Sequence, residues 1–118
     1  MDVENFSMNI ILHAGNAKSY LYEALENARN AKFNHIEEKI QLASQELLEA
    51  HKLQTKFLQE ESKNGLKSLS VLLVHAQDHL MTVMSEKNLI EEMIEMYKNQ
   101  NDLYEKVNHL LELNNGEK

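Results

Sequence analysis

The run Leu72-Leu73-Val74-His75-Ala76-Gln77-Asp78-His79-Leu80-Met81 holds the densest set of chemically capable side chains in the sequence. On a helix, His75 and His79 are four apart and share a face, with Asp78 three residues from His75. Such a cluster has three readings. An i, i+4 histidine pair with a carboxylate can ligate a transition metal. A neutral imidazole can instead attack phosphorus while its other nitrogen is held by a hydrogen bond. The third reading is two idle histidines on a helix face, and by spacing alone it is the simplest.

The elements that must position this cluster are helices. The chain has 118 residues, enough for one domain with one core. It has no Pro, so no ring removes a donor inside a helix. A first helix is expected over about 5–29, with an inward stripe at Ile10, Ala14, Ala17, Leu21, Ala24 and Ala28. Gly15 lies inside it and implies close packing that offsets its helix cost. A second helix is expected over about 34–63, started by Asn34 with Glu37 as a capping box. Its seam reads Ile36, Ile40, Ala43, Leu47, Ala50, Gln54, Phe57, and Asn64 with Gly65 ends it.

A third helix over about 69–97, capped by Ser68 or Ser70, has its seam at Leu69, Leu73, Ala76, Leu80, Val83, Lys87, Ile90, Ile94 and Tyr97. After Tyr97 the phase slips. The stretch at about 102–113 reads as a fourth short helix or a bent continuation, and Asn114 to Lys118 as a disordered end. Short connections make neighbours antiparallel, so the expected fold is an all-α, up-down-up three-helix bundle in a single domain spanning 1–118.

Composition narrows the partners. The formal net charge of −7 argues against nucleic acid and anionic membrane surfaces. The absence of Cys excludes thiolate catalysis and thiolate metal sites. No apolar run is long enough to span a bilayer and no signal-peptide pattern is visible, so a cytoplasmic location is expected.

The third helix carries a second stripe, Val71, Val74, Asp78 and Met81, almost opposite its seam. Two neighbouring helices cover only one side. A symmetric set of copies is the economical cover for the other. Asp78 would then meet its own copies in an apolar setting, a conflict that a shared hard cation such as Mg²⁺ resolves. An exposed stripe, with Asp78 facing water, is the competing reading.

Three segments carry a resemblance. Leu73-Val74-His75-Ala76-Gln77-Asp78-His79-Leu80-Met81-Thr82 resembles the active-site signature of the lactose/cellobiose-type IIA proteins of the bacterial phosphotransferase system. Leu12-His13-Ala14-Gly15-Asn16-Ala17-Lys18-Ser19 and Glu49-Ala50-His51-Lys52-Leu53-Gln54-Thr55 resemble its first- and second-helix signatures. The resemblance implies a homotrimer of nine helices. It also implies phosphorylation of His75 at Nε2 by the histidine phosphocarrier HPr and transfer to a cysteine of a IIB protein or domain. By the same resemblance Asp78 shares one divalent metal, expected to be Mg²⁺, among three subunits. Gln77 and His79 flank the phosphoryl group. The family's substrates are β-linked disaccharides of the cellobiose, lactose and chitobiose class, taken up by a membrane permease complex with which the carrier associates transiently. A non-catalytic helical adaptor and a metal-binding bundle are the alternatives.

The remaining histidines are read as structural or solvated: His13 and His51 as hydrogen-bonded bundle residues, His35 and His109 as solvated. Met81, Met84, Met93 and Met96 are read as packing residues. Glu60-Glu61 and Glu91-Glu92 are read as solvated faces.

Overall fold

The computed structural model describes residues 2–64 and 70–116 and consists of three helices. Helix α1 spans Val3–Arg29, α2 Ile36–Asn64 and α3 Val71–Gly116. Ser68, Leu69 and Gly65, which were assigned capping and seam positions above, lie outside the described residues.

Each terminus has a physical cause. Asp2 caps α1, its carboxylate accepting from the Asn5 N–H at 3.2 Å. At the other end the Lys32 N–H reaches the Asn27 carbonyl and the Ala31 N–H reaches that of Ala28. This is a Schellman closure, and it puts Ala31 in the left-handed region at φ 59°. Glycine usually occupies that position, so Ala31 holds a conformation costing about 1–2 kcal/mol for an L-residue. The first bond of α2 runs from the Lys39 N–H to the His35 carbonyl. The cap therefore falls on His35, one residue after the expected Asn34. Ser70 caps α3, its hydroxyl accepting from the Leu72 N–H at 3.1 Å.

The direction of packing follows from cross-helix pairs. His13 meets Glu46, Glu23 meets Lys39 and Phe6 meets Phe57, so α1 and α2 run antiparallel. Tyr22 bonds Glu86, and Arg29 and Tyr97 line one groove further along, so α1 and α3 run parallel. This is the expected up-down-up order. Helix α1 is the centre: it packs along both others, while α2 and α3 barely meet. An open groove of about 430 Å³ between them is lined in part by Ile40, Ser44, Glu91 and Lys98.

The core is the expected one. All six α1 stripe residues are buried, as are Ile36, Ala43, Leu47, Ala50 and Phe57 of α2. Leu73, Ala76, Leu80, Val83, Ile90 and Ile94 supply the α3 side. The small α1 stripe residues explain why that helix can sit between two neighbours. Ile40, Gln54, Lys87 and Tyr97 of the seams are half-buried. Lys87 keeps its charge paired with Glu91.

Three expectations are corrected. A Cβ on Gly15 would meet nothing within 4 Å, so close packing inside the chain does not explain that glycine. Met81, Met84, Met93 and Met96 are not core residues: Met96 is 69% exposed and Met81 57%, and Met84 and Met93 are only partly covered. The third helix neither ends near Tyr97 nor breaks. It continues for 46 residues to Gly116, and the described molecule is 80 Å long. Asn99, Gln100 and Asn101 lower helix propensity slightly but disrupt no hydrogen bond, so nothing stops propagation.

Candidate functional site

The site lies near the start of α3, where Leu73, Ala76 and Leu80 anchor the helix in the core. Fixing those three residues fixes the directions of all between them. His75 projects outward and is exposed; His79 is half-buried. Their rings lie nearly parallel, at an interplanar angle of 18° and a centroid separation of 6.3 Å. At about 100° per residue both point to the flank of α3 that leads toward α1, between the core seam and the outer stripe. Further along that flank Glu86 accepts from Tyr22 at 2.7 Å and approaches Lys18 at 3.8 Å. The carboxylate raises the Tyr22 pKa through this hydrogen bond.

Asp78 is exposed within the outer stripe, flanked by Val74 and Met81. The stripe is open: Val71 is 87% exposed and Met81 57%. The helix brings His75, Asp78 and His79 to adjoining faces. It does not bring Gln77 to them. Gln77 is half-buried and, two residues on, lies about 200° round the helix from His75, on the opposite flank.

Among the described residues no group of three or more His, Asp or Glu side chains gathers to hold a metal. One chain thus supplies one carboxylate at Asp78. An oxygen donor in an apolar stripe suits a hard cation in donor type, but the other ligands would have to come from other copies.

Outside the cluster, His13 Nδ1 lies 2.6 Å from Glu46 Oε2 and ties α1 to α2, as expected of a bundle residue. The same carboxylate also accepts from Asn16. His51 is exposed, contrary to expectation, whereas His35 and His109 are exposed as expected. Ser7 is fully buried with no partner for its hydroxyl. It was not foreseen, because a serine one turn before Ile10 carries no apolar signal. The Glu46 partner of His13 was also missed, since a pair so distant in sequence shows only once the helices are docked.

An all-α bundle with an exposed histidine on its third helix corresponds to a known class. Residues 5–98 match the family described as PTS system, Lactose/Cellobiose specific IIA subunit. The chain is 38% identical over 97 residues to the lichenan-specific phosphotransferase enzyme IIA component of Bacillus subtilis, covering 82% of this chain and 88% of that one. The structure superposes with a TM-score of 0.80 on the cellobiose-specific enzyme IIA of Bacillus anthracis, at 37% identity, covering 86% of this chain and 94% of that one. It superposes at 0.76 on the IIA(chitobiose) chain of the Escherichia coli IIA(chitobiose)–HPr complex, at 35% identity, covering 86% and 98%. The chain belongs to the lactose/cellobiose-specific IIA family of the phosphotransferase system.

Proposed function

We propose that this protein is a phosphocarrier that receives a phosphoryl group from phospho-HPr on His75 Nε2 and delivers it to a cysteine of a IIB protein or domain. The reading is carried by one observation: the exposed imidazole of His75 stands in the segment that resembles the family's active-site signature, on a helix fixed by core residues on both sides. The solved complex of a 35% identical IIA chain with HPr supports the donor.

In the first step neutral His75 attacks phosphorus. An Nε2–P bond forms as the N–P bond in HPr breaks. In the second, a cysteine thiolate attacks and the Nε2–P bond breaks. In-line transfer of this kind asks the protein mainly for positioning and charge stabilisation. The surface must also accept two partners in turn. A shallow apolar surround suits that task better than a dense charge pattern. Relatives named for lichenan, cellobiose and N,N′-diacetylchitobiose support a β-linked sugar as the cargo of the system.

The assembly is a homotrimer in which the outer stripes of three α3 helices meet. It covers Val71, Val74 and Met81 and brings three Asp78 carboxylates together. A divalent cation, Mg²⁺ by donor type, held by those carboxylates would offset their repulsion. In this arrangement Gln77, which faces away from its own His75, is available to the His75 of a neighbouring copy. His79 shares the face of its own His75. The protein works in the bacterial cytoplasm and associates transiently with the permease.

Incubation with phosphoenolpyruvate, enzyme I and HPr tests this. The wild type gains acid-labile phosphate and His75→Ala gains none. Labelling of the alanine variant, or no labelling of the wild type, overturns the reading.

A further inference from the structure

Beyond Tyr97, α3 leaves its neighbours behind, and every side chain from Asp102 to Gly116 is exposed. The apolar ones are nevertheless ordered. Leu103, Val107 and Leu110 step by four and three and are 63%, 46% and 64% exposed, with Tyr104 and Leu111 along one edge. The charged residues of this segment, Asp102, Glu105, Lys106 and Glu112, all fall outside the stripe. Only the amides Gln100 and Asn114 continue it.

The direction of this stripe is informative. Val71, Leu89 and Val107 are spaced by eighteen residues, as are Val74, Glu92 and Leu110. At about 3.6 residues per turn, eighteen residues are about five whole turns. The tail stripe is therefore the same line as the outer stripe through Val74, Asp78 and Met81. It lies opposite the seam of Leu73, Ala76 and Leu80 that faces the bundle. The phase slip after Tyr97 is a change of side.

We propose that residues 99–116 form a parallel self-association zipper, in which the Leu103–Val107–Leu110 stripe packs against the same stripe of other copies of this chain. Because α3 is unbroken and both stripes lie on one line, copies that meet along Val71–Met81 present Leu103–Leu110 toward one another. The inference rests on that trimer reading. The polar residues of the line within the tail agree with it, whereas Asp78 and Glu92 put charges on the same line nearer the site. In a parallel symmetric assembly each side chain meets its own copy, and an amide, both donor and acceptor, tolerates this where a charge does not. The segment is net acidic, which disfavours an anionic membrane as the cover. The match to the family ends at residue 98, so the zipper is a feature added to the family's bundle. It would hold the copies together about 42 Å from His75, at about 1.5 Å per residue, without touching the reacting group.

The cysteine-free sequence allows a direct test. Leu110→Cys, oxidised gently, is expected to give a disulfide-linked dimer, because matching core positions of parallel helices lie within disulfide reach. Glu112→Cys, on the polar face, is expected not to. Leu103→Lys combined with Leu110→Lys is expected to raise the assembly's dissociation constant at least about tenfold in sedimentation, because buried leucine contacts are lost. An oligomeric wild type with no Leu110→Cys cross-link and unchanged dissociation overturns the zipper and leaves the trimer standing. A monomeric wild type overturns both. Phosphate uptake on His75 is read separately and is expected to be unchanged in the tail variants, so failure of the phosphocarrier reading shows only in that assay.

Discussion

Along α3, residues 71–97 and residues 99–116 share one continuous backbone and differ in what lies beside them. The first stretch is apolar on two sides: one is filled mainly by α1, and the other is open at Val71, Val74 and Met81. The second keeps only the open side. Where α1 and α2 have ended, the inner positions become Asn101, Glu105, Asn108 and Glu112. A helix can therefore outlast its own bundle when its pattern changes face while its backbone remains unbroken. The contrast also separates two tasks. The bundle fixes the direction of His75, and the outer line faces whatever the protein meets.

The sharpest way to break this contrast is to truncate one leucine from each stretch. Leu80→Ala, in the core, is expected to cost about 2–5 kcal/mol in denaturant unfolding. Leu103→Ala, measured where single chains dominate, is expected to change stability by no more than about 0.5 kcal/mol. Equal costs would mean that the tail packs within its own chain.

Asp78 sharpens the outer face. Asp78→Leu removes like charges from an apolar line, so the proposed trimer is expected to persist or tighten by about 1–4 kcal/mol. Dissociation of that variant in sedimentation would show that the carboxylate holds the copies together.

A smaller effect is expected where α1 ends, in contrast to α3, which runs on. Ala31→Gly is expected to stabilise the fold by about 1 kcal/mol in thermal unfolding, by relieving the left-handed conformation. A loss of stability would mean that the Schellman turn does not hold the α1 terminus.

The smallest concerns the α1–α3 contact. Glu86 raises the Tyr22 pKa above its ordinary value of 10.0. The bond needs the phenol proton, so its contribution is present below that value and is lost as pH rises through the raised one. Tyr22→Phe is expected to flatten the fall in stability above pH 10.0 in pH-dependent unfolding. An unchanged slope would remove the contact from the account.

The seams were legible because apolar spacing directly encodes the buried side: Ile10 to Ala28 and Leu73 to Ile94 were found from period alone. The two-sided character of α3 was legible for the same reason. The helix of the tail was legible too, but its unbroken continuity with α3 was not, because an apolar stripe on the face opposite the core resembles a broken pattern when judged against the inner seam. The methionines misled because Met81 and Met96 are apolar at helical spacing, which states that they need cover and leaves open who supplies it. At the site, spacing placed His75 with His79, and only the resemblance gave His75 a role. Gln77 was grouped with them by the signature, yet helix geometry separates it from its own His75.

The most direct test of the central claim is NMR of the ¹⁵N-histidine-labelled protein after phosphorylation by enzyme I and HPr. The account predicts that, of the six histidines, His75 alone becomes phosphorylated, at Nε2. A phosphoryl group on His79, on His13, or on Nδ1 of His75 would contradict it.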